Sequence, residues 1–211
     1  MMKDYHVPAH ILKHSLAVAK LGVFLAERLK EKGTGVDVDL VETACLLHDI
    51  VRVCDFREID YGNFEQTVSQ QDEAKWQQLR AEYKELGHED AAYEILKEKY
   101  PMLASTIKKH KYMAMVDENT RPKTWEEKLV YYADMRVMHD KIVPLETRLK
   151  EAHERNAPLR SSEAQSKIEI ARIDPLIFRL EQGIFDRLAL TPVALTDEFI
   201  DSYPNNTQSI G

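Results

Sequence analysis

His48 and Asp49 stand in the run Ala44-Cys45-Leu46-Leu47-His48-Asp49-Ile50, whose helical spacing leaves few polar faces. An ionised aspartate beside a histidine on such a surface is costly to bury unless something cationic compensates it. A bound metal would do so; a hydrogen-bonded His–Asp pair is the other solution. Of the eight histidines, several besides His48 lie where a helix would turn them inward from apolar surroundings. Imidazole and carboxylate donors suit Fe, Mn, Co, Ni or Zn, whereas a Mg-only site prefers oxygen ligands and retained waters.

The elements that must position these groups read as helices. Seven glycines and eight prolines are few breaks for 211 residues, and between them apolar residues recur at helical rather than alternating spacing. Ile11, Leu12, Leu16, Val18, Ala19, Val23, Leu25 and Ala26 predict a long first helix, entered near Pro8 and ended by Gly33 and Gly35. Asp39 looks like the N-cap of a buried helix that carries His48 and Asp49. From Cys54 to about Gln71 the pattern loosens, as in a lid, before helical spacing resumes at Trp76, Leu79 and Tyr83. Further helices are predicted over 89–99, 102–111 and 125–140, and a short one from Pro144. A linker at 155–160 precedes a long last helix over 162–190, which Pro175 should end or kink. Residues 191–211 read as a loose tail. The fold class is all-α.

Composition narrows the function. Charged residues are 31% and hydrophobic residues 44% of a 24.4 kDa chain, an ordinary globular balance. A formal charge of −7 disfavours stable nucleic-acid binding. Cys45 and Cys54 form no CxxC pair, so a disulfide framework and a thiolate zinc site are both excluded. Met1 to His10 lacks the apolar core of a signal peptide, and no run reaches the roughly 18 apolar residues of a membrane helix. The expectation is a cytoplasmic protein with no membrane contact.

In chain order come His14-Ser15-Leu16-Ala17-Val18-Ala19, Leu46-Leu47-His48-Asp49-Ile50, Gly87-His88-Glu89, Ile107-Lys108-Lys109-His110 and Tyr132-Ala133-Asp134. This ordered set resembles the HD-domain superfamily of metal-dependent phosphohydrolases, over about His10 to Leu149. The resemblance implies an HD-like helical bundle over 1–155, with a C-terminal helix and tail over 156–211 packed on it. It also implies that His14, His48, Asp49 and Asp134 hold one metal, and that His88 and His110, as in dinuclear members, join Asp49 around a second. His48 and Asp49 would be the catalytic pair. A carboxylate has two oxygens, so Asp49 could bridge ions about 3.5–4 Å apart for in-line attack on phosphorus.

Within the superfamily the chain is closest in feel to the di-iron hydrolases of diadenosine tetraphosphate. It departs from many relatives at Ile50-Val51-Arg52 and in the long interval from His48 to His88. The expected substrate is a phosphorylated small molecule of nucleotide type, contacted by Arg52, Lys111 and Arg136, with Glu89 or Asp90 near enough to act as acid. Two rival functions are an HD-type di-iron oxygenase and a metal-stabilised helical module that binds a partner. Each position also has a plainer reading. His10 lies one turn from His14 and competes with it. His88 could be exposed at a helix start, His110 could belong to a basic face with Lys108, Lys109 and Lys111, and Asp134 could be a buried acceptor. His6, His139 and His153 read as surface residues.

Overall fold

The computed structural model describes residues 1–56, 59, 64, 67–159 and 162–203. Among them are α1 Ala9–Glu31, α2 Val38–Leu47, α3 Gln70–Glu82, α4 His88–Leu96, α5 Pro101–Lys108, α6 Trp125–Asp134, α7 Leu145–Asn156, α8 Glu163–Leu188 and α9 Asp197–Ser202. The fold is mostly helical, as the periodicity predicts, with one addition. A two-stranded antiparallel hairpin, β1 Val137–Met138 and β2 Lys141–Ile142, occupies the end of the predicted 125–140 helix.

The core is built by α1 packing along α2 and α6. Val18, Leu21, Leu25 and Leu29 of α1 are fully buried. Gly22 lets the helices approach, since a Cβ there would lie 2.6 Å from the Cys45 sulfur. Contrary to expectation, among the described residues α1 alone is long and apolar enough to cross a membrane, with mean hydropathy 1.3; half of its apolar stretch is buried inside the fold, as in a core helix.

Several boundaries differ from the sequence prediction for local reasons. Asp37, not Asp39, caps α2, its carboxylate accepting from the Leu40 N–H at 3.0 Å. α2 stops at Leu47, and His48 is its C-cap; the His48 Nδ1–H bonds the Cys45 carbonyl at 2.7 Å, satisfying one of the helix's terminal acceptors. α8 runs through Pro175 as one helix, with Ile173, Ile177 and Ile184 buried along it. The tail is not loose as far as Tyr203. Leu195 is buried, and the Asp197 carboxylate accepts from Lys20 Nζ and from the Ile142 N–H. Of the predicted lid, residues 57–58, 60–63 and 65–66 lie outside the described residues, as do 204–211 of the tail.

α5 and α6 are locked by one carboxylate. Glu127 accepts from Lys109 Nζ at 2.6 Å and from the N–H groups of Lys123 and Thr124 at 2.7 and 3.1 Å. Burial alone would raise its carboxyl; these donors outweigh it and hold Glu127 below the ordinary glutamate range. Lys109 immediately precedes His110, so this pair fixes the approach of His110 to the helix that ends at Asp134.

Candidate metal centre

His14, Asp49, His88, His110 and Asp134 line one cavity of about 440 Å³, and the fully buried His48 lies 3.6 Å from both Asp49 and Asp134. His14 projects from the second turn of α1, while the others stand at helix ends. His48 caps α2 with Asp49 following, His88 opens α4, His110 lies just past α5, and Asp134 closes α6. Helix ends bring side chains from four elements to one point without burying an irregular backbone.

The ring orientations are fixed from behind. Nδ1 of His14 donates to the His139 carbonyl at 2.8 Å, Nδ1 of His48 to Cys45 at 2.7 Å, and Nδ1 of His110 to Ile107 at 2.6 Å. Two groups compete for Nδ1 of His88: Asp55 Oδ2 at 2.5 Å and Arg52 Nη1 at 2.7 Å. The shorter contact prevails, because Asp55 Oδ1 also accepts the His88 main-chain N–H at 3.0 Å and so grips the residue twice. All four imidazoles therefore turn Nε2 inward.

Apart from Arg52 Nη1, 3.2 Å from His88 Nε2, the groups nearest those nitrogens are acceptors or other imidazoles. His14 Nε2 is 3.0 Å from Asp134 Oδ1, and His48 Nε2 is 3.6 Å from both Asp134 Oδ1 and Asp49 Oδ2. His88 Nε2 is 2.9 Å from Asp49 Oδ1 and 3.0 Å from His110 Nε2. The buried His48 Nε2 has no hydrogen-bond partner. Lone pairs facing lone pairs are repulsive unless a proton or a metal cation lies between them. The acid–base balance likewise favours positive charge among these groups. Burial would raise the carboxyls, yet the surrounding histidines hold Asp49 and Asp134 well below the usual carboxylate range. Burial would likewise lower His48, but Asp49 and Asp134 raise it.

Two ligand groups share one residue: His14, His48 and Asp49, and Asp49, His88 and His110. A third group, Asp55, His88 and Glu89, is within reach of His88 as well, but the Asp55 contact uses Nδ1, the face of the ring turned away from the cluster. This donor set fits divalent transition metals.

Of the residues expected to contact substrate, Arg52 lines the cavity and pairs with Asp55 at 3.0 Å. Lys111 is bonded to Asp90 and does not line the cavity. Arg136 is a correction. It is 1% exposed and its five N–H groups are spent inside the protein. Nε bonds the Val143 carbonyl, Nη1 bonds Tyr132 Oη and Glu181, and Nη2 bonds the carbonyls of Pro192 and Leu195. His139 and His153, read from sequence as surface residues, line the cavity, as does His10. His88 and His110 are 3% exposed, which excludes the surface reading of both.

Sequence reasoning missed Asp55, and only its place in the turn after His48-Asp49 could have drawn attention to it. Outer-shell carboxylates of this kind typically contribute 10–100-fold to metal affinity. Asp55→Asn should therefore weaken metal binding at the group containing His88 by roughly that factor and leave binding at the group containing His14 and His48 unchanged, as read by competition with a chelating dye. Equal weakening of both would contradict the assignment of Asp55 to His88 alone.

A helical protein with histidines and aspartates turned lone-pair-first into one cavity belongs to a metal-binding class. Comparison with protein families identifies the class: the HD domain matches residues 11–137, more than half of the chain, and the chain belongs to that family. HD domains are usually metal-dependent phosphohydrolases, and the match favours no particular branch of them. Neither the curated proteins nor the solved structures contain a match to this chain.

Proposed function

We propose that this protein is a metal-dependent phosphohydrolase with a dinuclear centre. His14, His48, Asp49 and Asp134 would hold one ion, and Asp49, His88 and His110 the other. The observation that supports this reading is the buried Nε2 of His48, which lies 3.6 Å from two carboxylates and has no hydrogen-bond partner among the described residues. Bound there, divalent ions supply Lewis acidity and an activated water for attack on phosphorus.

The protein's own groups do the rest. Arg52, at the cavity wall, offers positive charge to a phosphoryl oxygen, while Asp55 fixes its guanidinium. Of the two carboxyls near enough to act as proton donor, Asp90 is tied to Lys108 and Lys111 and does not line the cavity, whereas Glu89, 3.7 Å from Lys111 Nζ, does. Glu89 therefore holds that role. The substrate is a phosphorylated small molecule of nucleotide type.

The test is a panel of phosphomonoesters, phosphodiesters and nucleotide anhydrides, assayed before and after chelation. Hydrolysis that disappears with chelator and returns with Fe, Mn, Co, Ni or Zn, at two ions per chain, is the expected outcome. No hydrolysis with any of these metals would overturn the reading. Substrate-dependent oxygen uptake in its place would move the assignment to the oxygenase.

A further inference from the structure

The cavity does not end at the metal centre. It continues along α7, where Arg148, Glu151, His153 and Arg155 line it. These residues lie beyond the segment matched by the HD domain, so this wall is something the chain adds to the family's core.

The wall is built around a fixed cation. The Arg148 side chain is 14% exposed; its Nε donates to the Val137 carbonyl at 2.8 Å and its Nη1 to Glu151 at 3.1 Å. Among the described residues Nη2 has no partner. Glu151 also accepts from Arg155 Nε at 2.8 Å, so one carboxylate orients two guanidinium groups and leaves a net positive charge on the cavity wall. A guanidinium held by its back edge with donors remaining is the preorganised form that recognises phosphate oxygens. Its position relative to the metal ligands is fixed too. The hairpin that holds Arg148 through Val137 also holds His14 through the His139 carbonyl.

Resting on the phosphohydrolase reading, we propose that Arg148, with Arg155 beside it, binds a second phosphate group of the substrate, so that the substrate class carries two phosphates rather than one. The two phosphates are either adjacent, as in an anhydride, or separated, as in a bisphosphate. The shared chemistry is a second phosphate reaching α7 while the first lies at the metals.

The test is equilibrium binding, without turnover, of three probes to metal-loaded protein: orthophosphate, pyrophosphate and a nucleoside 3′,5′-bisphosphate. Wild type is compared with Arg148→Met, and with Arg155→Ala as a variant whose half-exposed site leaves folding undisturbed. The expected result is a loss of about 10-fold or more for one of the two-phosphate probes in Arg148→Met, with orthophosphate unchanged. Arg155→Ala should show a smaller loss for the same probe. Pyrophosphate as the affected probe identifies an anhydride, and the bisphosphate identifies separated phosphates. If both variants bind all three probes as wild type does, or lose all three equally, the subsite is wrong while the metal-centre reading stands. If wild type binds no probe at all, the phosphohydrolase reading itself fails, and the subsite with it.

Discussion

Asp49→Asn should reduce both metal content and hydrolysis by more than about 100-fold, beyond what loss of an outer-shell partner produces. Asp49 is the residue common to the two principal ligand groups. One oxygen lies 2.9 Å from His88 Nε2 and 3.8 Å from His110 Nε2; the other lies 3.6 Å from His48 Nε2. Asparagine preserves the shape but removes the charge, and it turns an NH₂ donor toward nitrogens or ions that need an acceptor. On the proposed dinuclear reading, metal should therefore be lost from both ligand groups together, in contrast to the one group weakened by Asp55→Asn. Elemental analysis beside turnover is the measurement, with circular dichroism to establish that the helices remain. A variant that keeps two ions and full turnover would remove Asp49 from the bridging position.

Arg136→Met should leave metal content per folded molecule unchanged and destabilise the protein. The substitution abandons Glu181 and three backbone carbonyls inside the fold. Breaking a buried ion pair from one side typically costs about 3–5 kcal/mol. For a chain of this size that corresponds to a melting temperature lower by about 6–20 °C. The damage should be concentrated where α6, α8 and the segment before α9 meet, so hydrogen exchange should accelerate first around Leu195. An unchanged melting temperature with a raised KM would instead return Arg136 to substrate binding.

These two residues mark where the sequence was and was not legible. Asp49 was legible because its chemistry is local: a carboxylate next to a histidine in an apolar run is an anomaly that asks for a cation. The ordered histidines and aspartates then carried the resemblance. Arg136 was not legible, because its burial depends on partners 45 to 59 residues away, which neither spacing nor composition reveals. The α7 wall was missed for the same reason; on the sequence, Arg148 and Arg155 are ordinary charges on a polar helix. Asp55 looked like any acidic residue in a turn until its carboxylate was found gripping His88. The end of α2 was misplaced because helix periodicity continues through His48, whereas the imidazole's bond to Cys45 closes the helix there.

The way the imidazoles are held also shapes how the centre could diverge. Three of the four rings are braced by main-chain oxygens, of His139, Cys45 and Ile107, which no side-chain replacement can delete. The fourth is braced by a carboxylate that a single codon change can alter. Heritable variation therefore acts unevenly on the two halves of the centre. The half containing His14 and His48 is insulated, while the half containing His88 can be retuned in affinity, or in preference among metals, through Asp55 alone. In a saturation library selected under metal limitation, substitutions at Asp55 should yield graded phenotypes, whereas ligand positions should yield all-or-none ones.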